Sequence, residues 1–321
     1  HRDLHSFPTR RSSDLSLYHD HPNHWEAWDI DRSYEQEFLE NPVAAAVKRQ
    51  CGILRQSLSF SLKIGNSRIV QRISLDAGSR LLTFATSVDW QESRRMLRVS
   101  FPTAIFAGEA AFDIQYGFVR RSTHGNTGWD RARFEVCAQR YADLSEADYG
   151  VALLNDCKYG HRVSGGVIDL CLLRSPRYPD WDADRGKHEF SYGLYPHPGS
   201  FADSDVIAAA ACFNRPPIVV KGDCSALRVP CRLASDGISL EVVKKAEKED
   251  CTVVRLVETK GKHSSGTLHF PAERTVVSTD LLEWSNLSEE DSRDGKLDVE
   301  LNPFEIRTLK LLPADAAAAG R

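Results

Sequence analysis

The chain has 321 residues, 41% of them hydrophobic, enough for at least one full core and an argument for two compact units rather than one. Its 41 Lys and Arg against 45 Asp and Glu leave a net charge of −4, without the basic footprint that nucleic acid or an anionic membrane surface would select. No run approaches the ~18 apolar residues of a membrane-spanning helix, so neither nucleic acid nor membrane is expected as a partner.

Residues 1–15, HRDLHSFPTRRSSDL, open on an imitation of a protein-kinase catalytic loop. Pro8 stands where that loop needs its metal-holding Asn, and no glycine-rich loop precedes it. The string reads better as the in-frame translation of a sequencing-library adaptor. It is set aside as a non-native, disordered tail, with native sequence expected from Ser16, inside a longer protein. A short helix is expected somewhere in 33–55. From about Ile53 the pattern is strand: residues 57–64 alternate apolar and polar, and 68–75 alternate again. Further strands are expected at 81–90, 96–101, 112–118 and 133–138. Such spacing, punctuated by Gly, Asn and Pro, predicts antiparallel sheets in a sandwich. A second short helix is expected near 203–213. Pro216 and Pro217 mark a boundary, since consecutive prolines cannot continue a central strand. Beyond it, 238–243 and 252–257 predict a hairpin around a charged loop, and 296–301 with 304–312 a second strand pair around Pro303. Residues 314–321 read as a frayed, small-residue tail.

The eight cysteines include no C-x-x-C pair, so free, buried thiols of a reducing compartment are expected rather than a zinc ribbon. His19, His21 and His24 crowd with Asp20, but neighbouring residues can share few ligand directions, and a turn segment is the simpler reading. Three polar segments could carry chemistry. Residues 120–128 are dense in hydroxyl, imidazole and amide groups, His124 among them. Asn155, Asp156, Lys158 and Tyr159 follow directly on an apolar strand, where sandwich loops bind ligands. Residues 179–189 are acidic and turn-rich. Carboxylates, amides and an aromatic face suit sugar recognition, though composition alone leaves ordinary polar loops an equal reading.

Asp20, Pro22, Trp25, Glu26, Ala27, Trp28 and Asp29 resemble the D-x-P-x-x-W-[DE]-A-W-D signature of glycoside hydrolase family 38, the α-mannosidases. The resemblance continues in order through Phe101-Pro102, residues 114–117, residues 121–124, ALLNDCKYG at 152–160, residues 172–176, residues 188–197 and PFEIRTL at 303–309. It covers about Tyr18 to Leu312, and its wording is closest to the cytosolic and bacterial branch. Ser122, where this branch usually has Pro, and Glu26, where Asp is usual, are departures.

The resemblance implies an all-β fold: a large antiparallel, mutarotase-like supersandwich at 16–215, then a small C-terminal β-sandwich at 216–313. It implies a cytoplasmic, retaining α-mannosidase acting on mannose-containing oligosaccharides, with zinc or cobalt in the full-length enzyme. Retention needs a nucleophilic carboxylate and an acid/base about 5 Å apart. In the family the nucleophile and metal ligands belong to an N-terminal α/β domain, whose motifs this chain lacks. The fragment is therefore expected to be inactive and to bind no metal itself. Asn155, Asp156, Lys158, Tyr159 and His124 are the expected substrate-binding residues. A free-standing carbohydrate-binding or structural β module is the alternative.

Overall fold

The computed structural model describes residues 14–225 and 227–313, leaving aside the side chains of 14 and 43–46. The expected disorder of the first thirteen residues and the expected fraying of 314–321 lie outside the described residues. The chain divides into one unit of residues 1–113 with 119–217 and another of 114–118 with 218–321.

The first unit is built on two antiparallel sheets. One has nine strands, in spatial order Val43–Cys51, Arg55–Ile64, Ser67–Asp76, Leu82–Trp90, Gly186–Pro198, Tyr149–Asn155, Tyr141–Ser145, Glu109–Ile114 and Gly117–Ser122. The other has six: Val136–Cys137, Gly160–Ser164, Val167–Arg174, Arg95–Pro102, Asp14–His19 and Phe38–Glu40. Alternation decides which face is buried. Leu97, Val99 and Phe101 meet Leu62, Ile69, Phe84 and Tyr192 in one core between the sheets, with Phe84 stacked on Tyr192 at 5.0 Å and edge-on to Phe101 at 5.5 Å.

The opposite face of the six-stranded sheet is polar yet covered. Arg98 is buried beside Glu135 at 2.9 Å, and Tyr34 donates to the same carboxylate at 2.5 Å. Arg162 joins Asp169 at 2.8 Å to Glu35 at 2.8 Å. Burial opposes the charge on Arg98, but Glu135 and Asp169 outweigh it and keep the guanidinium protonated. The cover is the 3-10 turn Arg32–Gln36.

The second unit holds a five-stranded sheet, in order Ile238–Lys245, Thr252–Glu258, Ile306–Pro313, Arg274–Thr279 and Asn286–Glu289, and a three-stranded sheet of Arg232–Ala234, Ser264–His269 and Lys296–Leu301. Val254, Leu256, Leu268, Val276, Leu297 and Leu309 share its core. Glu258 is buried at a chain crossing, where its carboxylate accepts from the backbone N–H of Lys260, Gly261 and Phe304 at 2.8–2.9 Å.

The all-β, sandwich reading agrees with this architecture, but several expected elements differ. The strand Asp14–His19 begins two residues before Ser16, and Leu15 is buried in the core. In place of a helix in 33–55 there are the 3-10 turn and the strand Val43–Cys51. The single strand expected at 112–118 is a hairpin turning at Gln115–Tyr116, where Tyr116 has a φ of 57°. Lys296–Leu301 and Ile306–Pro313 do not pair with each other; they lie in different sheets. Among the described residues no disulfide joins the cysteines, yet only Cys231 and Cys251 are buried and five are exposed, which corrects the expectation of buried thiols.

Candidate functional site

Strand register places the expected site residues. Asn155 ends its strand opposite Tyr192 and next to Leu154–Tyr141, and Gly160 opens the next strand in the other sheet. Residues 155–160 therefore carry the chain across one rim of the sandwich. His124 lies beyond the strand Gly117–Ser122 at the other rim, where the Thr123 N–H donates to Gly108 O at 3.1 Å and Gly165 N–H to Thr123 O at 3.2 Å. A seven-residue strand separates the two rims by about 20 Å. The structure does not bring His124 to the other four.

Asn155 is also a correction. It is fully buried, its Oδ1 accepts from the Lys158 N–H at 2.7 Å, its Nδ2 donates to Gln139 O at 2.8 Å, and its carbonyl accepts from Asn214 Nδ2 at 3.0 Å. An amide spent in this way closes a turn and cannot also contact substrate. Beside it His161 is buried, with Nδ1 3.1 Å from Tyr159 O, which fixes Nδ1 as the protonated nitrogen. Burial first, and then Arg98 and Arg121, lower its pKa to about 4.

The turn presents the remaining three. Asp156 is exposed and accepts from the Ser191 N–H at 2.8 Å. Lys158 holds its ammonium 4.4 Å from the centre of the Phe190 ring, rather than pairing with Asp156. Tyr159 is half exposed. Ser191 and Phe190 also border a shallow groove of about 350 Å³ on the open face of the nine-stranded sheet, with Val70, Arg72 and Glu189.

The same rim carries a second group of residues, which sequence reasoning quoted as a signature without assigning them to a site. The strand Asp14–His19 ends here, as does Val167–Arg174. Three strand spacings, about 14 Å across the sheet, separate the strand Asp14–His19 from Gly160, and Asp20 lies four residues further along its strand direction than Ser16, the position level with Gly160. Asp20 is buried and takes a bidentate pair from Arg174 at 2.6 and 3.0 Å; Arg174 also donates to the carbonyls of Glu26 and Asp29 at 3.2 and 2.7 Å. Burial raises the Asp20 carboxyl against the pull of Arg174. Glu26 accepts from Arg94 at 2.5 Å and from the Arg177 N–H at 2.8 Å, and the Arg94 bond holds its carboxyl low. On this ionic frame stand Trp25 (60% exposed), Trp28 (70%), Tyr178 (52%) and Trp181 (68%). The signal was present in the sequence as W-x-x-W among charges.

Two other clusters have simpler roles. His197 Nε2 meets Asp143 at 2.8 Å and Ser145 at 3.4 Å on one nitrogen. A nucleophile relay needs them on opposite nitrogens, so this is a buried packing motif. Among the described residues no three His, Cys, Asp or Glu side chains are placed to share a metal ion; the zinc or cobalt implied by the resemblance finds no fitting donor set here.

Residues 5–182 match the model of the glycosyl hydrolases family 38 C-terminal domain, and 237–309 that of the family 38 C-terminal β-sandwich domain. The chain belongs to glycosyl hydrolase family 38. The first match begins inside the segment set aside as an adaptor. Family 38 relatives include human alpha-mannosidase 2C1, 40% identical over 92% of this chain, and alpha-mannosidase G of Dictyostelium discoideum, 35% identical over 93%. The chain spans about 30% of the length of these relatives. A crystal structure of a family 38 protein from Enterococcus faecalis shares the fold, with a TM-score of 0.73 at 19% identity over 93% of this chain and 40% of that one. No helix among the described residues is long and apolar enough to cross a membrane.

Proposed function

We propose that this chain is the C-terminal, β-sandwich portion of a cytoplasmic, retaining, metal-dependent α-mannosidase that hydrolyses terminal mannosyl residues of oligosaccharides. The observation that carries the reading is 40% identity across 92% of the chain to a relative named alpha-mannosidase. The nucleophile and the zinc or cobalt belong to the remaining length that such relatives have and this chain does not span. No catalytic step is assigned to the chain's own side chains.

Its contribution is to present the 156–159 turn toward sugar. Asp156 accepts from sugar hydroxyls on the lone pairs that the Ser191 N–H leaves free, Lys158 donates, and Tyr159 offers a ring face. A charge-assisted hydrogen bond to substrate is worth roughly 1.5–3 kcal/mol, so losing one costs about tenfold to a hundredfold in kcat/KM. The test is Asp156→Ala and Lys158→Ala in the protein extended upstream to its relatives' length, assayed on an aryl α-mannoside. Reduced kcat/KM at unchanged melting temperature supports the assignment; unchanged kcat/KM with a lowered melting temperature assigns the turn to structure. The chain alone is expected to show no turnover with any added divalent metal, and measurable turnover by it overturns the division of labour.

A further inference from the structure

We infer that Trp25, Trp28, Tyr178 and Trp181 form a stacking platform for a neutral oligosaccharide, a binding site separate from the 156–159 turn on the same rim. The inference rests on the α-mannosidase reading for the kind of sugar and on the geometry for the site.

Trp28 meets Trp25 edge-on, with ring centres 6.3 Å apart and planes at 75°, and Trp25 meets Tyr178 at 6.0 Å and 53°. Trp181 is joined to this row through Arg177, whose guanidinium lies 4.6 Å from the indole centre and whose backbone N–H is held by Glu26. The rings are inclined to one another and present a stepped surface rather than a flat one. An isolated exposed aromatic needs no explanation; four together, each more than half exposed, do.

They are also held in place at some cost. Trp25 takes a φ of 57°, a left-handed conformation that a bulky residue adopts only where its surroundings impose it. Those surroundings are the Asp20–Arg174 and Glu26–Arg94 pairs and the hydrogen bonds from Trp28 N–H and Asp29 N–H to the Trp25 carbonyl at 2.8 and 2.9 Å. The loop carrying Trp181 is ordered likewise, by Asp182 N–H on Asp180 at 3.0 Å, Arg185 on Asp182 at 2.8 Å and His188 Nε2 against Asp184 O at 2.7 Å. Pre-ordering of this kind lowers the entropy lost when a ligand settles on the rings.

The neighbours select the ligand. Asp180 and Asp182 flank Trp181 along the chain, with Asp184 just beyond, and Asn23 and His24 precede Trp25. A pyranose has what the surface lacks: an apolar C–H face to lie on an indole and a ring of hydroxyls for carboxylates and amides.

The test uses the chain labelled with 5-fluorotryptophan, whose six tryptophans give separate fluorine resonances, titrated with mannopentaose. The Trp25, Trp28 and Trp181 signals are expected to shift together with one dissociation constant, while Trp90, Trp129 and Trp284 stay put. Trp28→Ala and Trp181→Ala, both at exposed positions, should each weaken binding at least fivefold with melting temperature unchanged. Trp129→Ala, on the helix after the opposite rim, should leave it unaltered. Lack of any shift at tens of millimolar sugar, or shifts indifferent to these substitutions, overturns the platform. So does a protein extended upstream in which the three tryptophans become inaccessible to acrylamide and no longer respond to sugar, which would mark an internal interface. Binding requires no hydrolysis. No sugar response at the tryptophans of an unsubstituted extended protein that has mannosidase activity refutes the platform alone; binding without that activity refutes the functional reading alone.

Discussion

Lowering the pH should loosen the first unit through His161 in particular. The imidazole is buried, donates from Nδ1 to Tyr159 O, and presents Nε2 to the Asn155 amide at 3.5 Å. A second proton would bring an unsolvated cation toward Arg98 and Arg121, so the folded protein holds the pKa down at about 4 from an ordinary 6.5. The unfolded chain therefore binds the proton first. No penalty exists above pH ~6.5; it grows as the pH falls from there and is fully developed below about 4, where it reaches roughly 3 kcal/mol. At about pH 5 the expected loss is near 2 kcal/mol, about 4–8 °C in melting temperature for a unit of this size. Carboxylates titrate over part of the same range, so the measurement is a difference: urea unfolding of the parent and of His161→Phe at several pH values. The variant is less stable at neutral pH, having lost the bond to Tyr159, but its deficit should shrink as the solution is acidified. Nitrogen-15 shifts of the imidazole check the premise directly. A His161 that titrates near 6.5, or a parent–variant difference that stays flat from neutral pH down to about 4, refutes the reasoning.

Arg174→Ala should cost about 3–5 kcal/mol, because it leaves Asp20 buried without its partner and strips two carbonyls of their donor; thermal melts measure the loss, and Asp20→Asn in the same background should recover part of it. Glu258→Ala in the second unit should cost about 3 kcal/mol, since three backbone N–H groups lose one shared acceptor. Amide exchange should localise that second effect to residues 258–264 and 302–306 while the 155–160 turn stays protected.

The regular strands were legible because alternation is a local property: 57–64 and 68–75 read correctly from their own side chains and pair as Arg55–Ile64 with Ser67–Asp76. Val43–Cys51 was not, since its Ala run has helical propensity that only pairing with Arg55–Ile64 overrides. The hairpin at Gln115–Tyr116 lacks the Asn-Gly or Asp-Gly pair that announces a tight turn, so it read as one strand. At the site the difficulty was burial. Asn155 and Asp156 are both polar residues after an apolar strand, yet one is fully enclosed and the other exposed. Only the position of Gln139 and Asn214 decides that, and both lie far off in sequence or on another element.

The place of the strand Asp14–His19 bears on how the chain reaches this state. It lies between Phe38–Glu40 and Arg95–Pro102, and Arg95–Pro102 pairs in turn with Val167–Arg174. The first described strand thus finds its short edge partner about 20 residues downstream but its inner partner only about 80 residues downstream, and the sheet they share is incomplete until some 70 more have emerged. During synthesis its apolar side, Leu15 and Leu17, stays without its full core while the hairpin 55–76 and the strand 82–90 that adds to it are already able to form. Late closure of the six-stranded sheet follows, because its inner pairings join segments far apart in the chain.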